Sequence, residues 1–175
     1  MSDKNKTCCL TGHRDIPLEG QDLLAKRTRN MIRWLMRYNG VTTFLTGGAL
    51  GFDTLAARAV LDVRKHYPQI SLHLILPCQN QTRFWQEEDM AFYNRLLKRA
   101  NAVTYVSEHY HPGCMFERNR RMVDLSQFCI CYLEKESGGT AYTVRYAQKK
   151  GLSIINLAYP SSKSWILLLF LILCI

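Results

Sequence analysis

The stretch Thr46-Gly47-Gly48-Ala49-Leu50-Gly51-Phe52-Asp53 joins an apolar run to an amphipathic one through three glycines, and its reading decides the fold. Before it, Thr42 to Thr46 reads as a buried strand. After it, Thr54 to His66 carries Leu55, Ala56, Ala59, Val60 and Val63 at helical spacing. A strand that passes into a helix through glycines lets the backbone approach a ligand closely, and the helix start offers unpaired N–H groups and a dipole that favours anions. The glycine spacing matches neither the Walker A pattern nor the dinucleotide fingerprint GxGxxG. Asp53 has two readings here, a cap for the helix N-terminus or an acceptor for a ribose or base, since a carboxylate repels phosphate itself.

The same alternation runs outward in both directions. Strands are expected at Thr7 to Thr11, Leu72 to Pro77, Ala102 to Val106, Phe128 to Leu133 and Ser153 to Leu157, in addition to Thr42 to Thr46. Helices are expected at Leu23 to Tyr38, Phe84 to Arg99, Phe116 to Leu125 and Ala141 to Lys149, in addition to Thr54 to His66, with Gly151 closing the helix from Ala141. Alternating strands and helices predict an α/β fold: a single Rossmann-like domain, its sheet mostly parallel, with helices on both faces. At 175 residues one core suffices, and the domain is assigned to residues 1–160. Residues 161–175 form an apolar tail. Its run from Trp165 to Ile175 is about half of the roughly 20 residues that a membrane-spanning helix needs, which favours a truncated end or a final core strand over a membrane anchor.

Hydrophobic content of 47% and charged content of 21% place the chain with folded rather than disordered proteins. The formal charge of +9 attracts phosphate and nucleic acid, which bears on partners and not on fold. Seven cysteines without a CxxC pair, behind a polar start MSDKNKT that has no signal-peptide pattern, predict reduced thiols in a cytoplasmic protein.

Ligands of open α/β sheets sit beyond the carboxyl ends of the strands, and three of those junctions stand out. After the first strand, Gly12 permits a tight turn, His13 follows without a visible catalytic partner, and Arg14 can bond a phosphate. After the second come Gly47, Gly48, Gly51 and Asp53. After the fifth, Ser137-Gly138-Gly139-Thr140 precedes a helix and forms a second candidate phosphate cradle. The helical stretch from Met115 to Met122 can bring Arg118 and Asn119 to the same crevice. Lys26, Arg29, Arg33 and Arg37 share one helix face, which reads first as a solvated face. His109, His111 and Cys114 lack a fourth ligand, so no metal is expected, and no cofactor is implied.

The pieces CLTGHR from Cys9, TGGALGFDTLAA from Thr46, RNRRMVD from Arg118 and SGGTAYTVRYA from Ser137 resemble the SLOG superfamily. That superfamily joins the DNA-processing protein A group to the Lonely Guy phosphoribohydrolases, and within it the chain is most similar to the YpsA-like bacterial family. The resemblance implies a nucleotide or nucleotide-derived ligand on the glycine loops, and leaves room for a homo-oligomer. In the phosphoribohydrolase branch a PGGxGTxxE motif supplies a catalytic glutamate. Here that position falls at Arg145, or at Thr143 if the Gly-Thr pair is aligned, and a nucleotide N-glycosidase needs a carboxylate there. The sequence therefore favours binding or sensing over catalysis. The two alternatives are that hydrolase and a single-stranded DNA-binding protein, the latter suggested by the other branch and by the charge, although no row of aromatics in a basic groove is visible.

Overall fold

In the computed structural model, residues 3–158 are described; the apolar tail lies outside them. A 3₁₀ turn at Lys4–Lys6 leads into β1 (Thr7–Gly12), α1 (Leu18–Asn39), β2 (Thr43–Thr46), α2 (Phe52–Arg64), β3 (Ser71–Leu76) and α3 (Glu87–Arg99). The chain continues through β4 (Ala102–Tyr105), α4 (Cys114–Asp124), β5 (Phe128–Tyr132), α5 (Gly138–Lys149) and β6 (Ser153–Asn156). The six strands form one sheet in the order β4-β3-β2-β1-β5-β6, and every pairing is parallel. The expected Rossmann-like α/β architecture is the one observed.

Side chains alternate across the pleat and feed two cores. Cys8, Leu10, Phe44, Leu72 and Leu74 pack with Ile32 and Leu35 of α1, Ala56 and Val60 of α2 and Leu96 of α3. On the other face Cys9, Leu45, Ile75, Cys129 and Cys131 pack with Met122 and Val123 of α4 and with Val144 and Ala147 of α5. The six cysteines among the described residues are buried free thiols, used as small apolar side chains.

Three helix starts differ from the expectation by three residues or more, for local reasons. α1 begins at Leu18 rather than Leu23, because Pro17 fixes the entry and the polar turn Glu19-Gly20-Gln21-Asp22 hides the helical period. α3 begins at Glu87 rather than Phe84, behind a turn in which the Trp85 N–H donates to the Thr82 carbonyl at 2.9 Å. α5 begins at Gly138, so Gly138, Gly139 and Thr140 are its first turn and not a loop ahead of it.

The strand order sets where a ligand can sit. The chain leaves β1 toward β2, then returns from β4 to place β5 on the other side of β1. The loops after β1 and β5 therefore diverge, and the crevice between them is the switch point at which doubly wound sheets bind ligands.

Candidate anion-binding site

The loop after β2 is fixed from below by its own helix. Gly51, with φ 77 and ψ −125, is the N-cap of α2, and no side chain caps this helix. Asp53 instead reaches back, accepting from the Ala49 N–H at 3.3 Å, while the Thr54 hydroxyl donates to the Ala49 carbonyl at 2.9 Å. Asp53 therefore does not cap the helix with its side chain. It is 6% exposed and pairs with Arg118 of α4, Nη1 to Oδ2, at 3.6 Å.

Arg118 is 7% exposed, and its Nε and Nη1 have no hydrogen-bond partner. A Cβ on Gly47 would overlap the guanidinium and stand 2.8 Å from Asp53 Oδ2. Gly47 is therefore glycine because Arg118 lies across its backbone, a reason of space and not of dihedral angle. Burial pushes the Asp53 carboxyl above its ordinary range against the pull of Arg118 and the N–H groups of Ala49 and Gly47, and burial likewise lowers the Arg118 guanidinium.

Above this pair opens a cleft of about 380 Å³. Gly12, His13 and Arg14 line it from the β1 loop, and Met115, Arg118 and Asn119 from α4. Gly139 and Thr140 line it from the first turn of α5, whose N–H groups have no intrahelical acceptor. The structure thus gathers residues from three separate expected segments. Gly51 faces a wider neighbouring groove of about 1070 Å³, which also takes in His13, Arg14 and Arg29. Gly47 and Gly48 line neither cavity; Gly47 lies against Arg118, and Gly48 against Leu76, Tyr93 and Gln81.

Several expected participants lie elsewhere. Arg145 donates to the Glu136 carbonyl at 2.8 Å and Thr143 to the Gly139 carbonyl at 2.8 Å, so neither aligned glutamate position presents an acid to the cleft. Arg33 bonds Asn30 and Arg37 bonds Tyr67 on the outer face of α1. His111 lies 3.8 Å from Glu117 with Cys114 buried, and among the described residues no group of three His, Cys, Asp or Glu is placed to hold a metal ion. No helix among the described residues is long and apolar enough to cross a membrane. Gln81 and Trp85, which sequence reasoning passed over, line the cleft from the connection after β3. Their signal was position alone, because that junction carries no glycine.

His13 has partners the sequence could not show. Its Nε2 accepts from the N–H groups of Glu134 at 2.9 Å and Lys135 at 3.1 Å, which makes the ring neutral with its proton on Nδ1. His13 therefore ties the β1 loop to the β5 loop across the switch point. Burial, reinforced by the Lys135 charge, lowers its pKa. With a lowered folded value the unfolded chain takes up the proton first, so this contribution is complete above about pH 6.5 and is lost as pH falls from there through the folded value. Urea melts between about pH 7.5 and about pH 5 should show a smaller loss for His13→Gln than for the wild type. His73, also lowered by burial, contributes the same background to both. Equal slopes would remove His13 from the acid response.

The comparisons with known proteins agree with this fold. The prophage-derived protein YoqJ of Bacillus subtilis is 29% identical over 118 residues, covering 61% of this chain and 69% of that one. A UPF0398 protein of Bacillus thuringiensis is 24% identical over 156 residues, covering 83% and 84%. Another, from Brevibacillus brevis, is 28% identical over 109 residues, and the match spans 58% of its length. Among solved structures, DNA processing protein A of Helicobacter pylori has a TM-score of 0.67 at 17% identity over 95% of this chain and 73% of that one. Its Streptococcus pneumoniae counterpart gives 0.66 at 16%, over 91% and 53%. At these identities the likeness is one of fold. The sequence profile of the YspA SLOG family matches residues 8–157, the whole of the sheet and its helices, and the chain belongs to that family.

Proposed function

We propose that the central cleft binds the phosphate of a nucleotide or nucleotide-derived ligand, and that the protein senses or carries this ligand and does not hydrolyse it. The observation that supports the reading is Arg118, a guanidinium buried at the base of the cleft whose Nε and Nη1 make no hydrogen bond, Nη1 being held only by the 3.6 Å ion pair with Asp53. Leaving such donors unpaired in a dry site costs about 1–3 kcal/mol or more, and an anion arriving from the cleft relieves it. Arg14 and the open first turn of α5 add charge and N–H groups at the same place. Glycosidic hydrolysis has less support. The carboxylate that lines the cleft is Asp53, which is committed to Arg118 and Ala49.

Gly139 gives the cleanest test. A Cβ there meets nothing within 4 Å, and an acid in a helix's first turn does not harm the helix, so Gly139→Asp should fold as the wild type does. It places a carboxylate where the phosphate would rest. In a thermal-shift panel of nucleotides and nucleotide sugars, a ligand at a hundredfold excess over Kd stabilises by about 2.7 kcal/mol, and Gly139→Asp should weaken its binding by at least about tenfold at an unchanged unliganded Tm. Undiminished binding would place the ligand elsewhere.

A second reading follows DNA processing protein A of Helicobacter pylori, a protein with a single-stranded DNA binding mode of its own. The charge of +9 favours that reading here. It predicts that a short oligonucleotide outcompetes mononucleotides with a steep salt dependence, and that changing Lys26, Arg29 and Arg33 flattens the slope.

A further inference from the structure

The rim of the cleft carries aromatic surface that a phosphate does not use. Among the described residues the exposed phenylalanines are Phe84 and Phe116, 87% and 45% exposed. Each adjoins in sequence a residue that lines the cleft, Trp85 for the first and Met115 for the second. Exposed apolar side chains scattered singly are ordinary, whereas two phenylalanines beside one cleft form a pattern. Each has support: the Arg83 guanidinium stands 5.4 Å from the Phe84 ring centroid, and Tyr142 of α5 braces Phe116 edge to face, centroids 4.7 Å apart at 74°. Phe84 and Phe116 themselves lie just outside the cleft, so a ligand that reaches them is larger than the phosphate the cleft holds.

The topology sets the two aromatic groups on different sides of the buried guanidinium. Phe84 and Trp85 belong to the connection after β3, whereas Tyr142 belongs to α5, which follows β5, and Phe116 packs on it. In the sheet β3 and β5 are separated by β2 and β1, so these junctions leave it about 14 Å apart, three spacings of about 4.8 Å. Arg118 lies between them, paired with Asp53 at the start of the helix that follows β2. Because the two groups come from a loop and from two helices, no local stretch of sequence displays them together.

A mononucleotide carries its base on one side of its phosphate only. A phosphodiester within a strand carries a nucleoside on each side, and unpaired bases offer free ring faces that stack on aromatic side chains whatever the base. Aromatics on both sides of an anion site therefore match a strand better than a mononucleotide. Cations extend the match outward, with Arg83 beside Phe84 and the exposed Arg120 one turn along α4 from Phe116, while Glu117 lies 3.8 Å from His111. Resting on the phosphate reading, we propose that the ligand is a single-stranded nucleic acid, one internucleotide phosphate held over Arg118 and the nucleosides on its two sides stacked on Phe84 and Phe116.

Titration of the full chain with oligothymidylate, oligouridylate, an abasic strand of the same length and ribose 5-phosphate separates stacking from charge. The wild type should bind oligothymidylate at least about tenfold more tightly than the abasic strand, which offers the same phosphates without bases. Phe84→Ala and Phe116→Ala should each weaken oligothymidylate by about fivefold or more, at an unchanged salt slope because no charge is lost. The abasic strand and ribose 5-phosphate should bind both variants as they bind the wild type. Phe84→Trp and Phe116→Trp should keep the wild-type affinity, and an unliganded Tm near the wild type's verifies the fold of each variant. Gly139→Asp should weaken every probe.

Equal affinity for oligothymidylate and the abasic strand would overturn the stacking proposal and leave the phosphate reading standing. Alanine variants that bind oligothymidylate as tightly as the wild type would do the same. Probes that bind Gly139→Asp undiminished would overturn the phosphate reading, and with it the proposal that rests on it. Failure of every probe to bind would likewise overturn both. Equal binding of oligothymidylate and oligouridylate upholds stacking that tolerates either sugar, and a preference for one upholds it while naming DNA or RNA as the source of the strand.

Discussion

Replacing Arg118 with methionine is expected to lower the unfolding free energy by about 3–5 kcal/mol, although the new side chain is apolar and of similar length. The loss comes from what the substitution leaves behind. Asp53 is 6% exposed, and without the guanidinium 3.6 Å away its carboxylate keeps only backbone N–H donors, that of Ala49 at 3.3 Å. The partner change relieves the defect: Asp53→Asn in the Arg118→Met background should restore most of the loss, a coupling of at least about 2 kcal/mol in the double-mutant cycle. The cost must also depend on pH in a definite sense. The folded-state pKa of Asp53 is already raised by burial, and removing Arg118 raises it further. An acid raised in the folded state is ionised first in the unfolded chain, so stability falls as pH climbs from the unfolded value of 3.8 to the folded one. Arg118→Met should therefore look least damaged in mild acid and worst near neutrality, as read by urea midpoints across that range. Additive single losses, or a cost that grows toward acid, would show that the pair does not act as a buried unit.

This pair also marks the boundary of what the sequence discloses. The glycine loops, the run around Arg118 and the strand ends are local patterns, and each was legible because its signal lies within about ten consecutive residues. That Arg118 crosses Gly47 to reach Asp53 is a long-range fact. It depends on α4 returning beside the β2 loop, a consequence of the sheet order that no local spacing encodes. His13 is similar: its partners are the N–H groups of Glu134 and Lys135, more than a hundred positions along the chain, and backbone groups leave no trace in composition. The α1 start was hidden because a polar first turn has no hydrophobic period. Trp85 and Gln81 were missed for a different reason. They occupy a strand-end junction, where ligands are expected, but without glycine the junction did not look like a phosphate loop.

The second large effect is expected at Gly51, where two independent obstacles coincide. Its φ of 77 and ψ of −125 lie in a region that L side chains rarely adopt, which costs about 1–3 kcal/mol for alanine. A Cβ there would also overlap the backbone carbonyl of Arg14, which cannot swing aside as a side chain can. The Phe52 N–H donates to the His13 carbonyl at 3.1 Å, and the His13 N–H to the Tyr132 carbonyl at 3.2 Å, so the β1 loop is held at His13, immediately before the clash. Overpacking adds about 1–3 kcal/mol, giving about 4 kcal/mol in all for Gly51→Ala. Two other glycines calibrate the measurement. Gly40 closes α1 at φ 66 with nothing within 4 Å of a Cβ, so Gly40→Ala carries the backbone term alone, about 1–2 kcal/mol. Gly20 lies inside α1 with equally open surroundings, and Gly20→Ala should stabilise by about 0.5–1 kcal/mol. The order Gly51, Gly40, Gly20 in chemical denaturation would show that the close approach of the β1 loop to the α2 start, and not glycine content as such, sets the stability of the crevice floor. If Gly51→Ala cost no more than Gly40→Ala, the β1 loop would have to be free to retreat, and the cleft it lines could not be preformed.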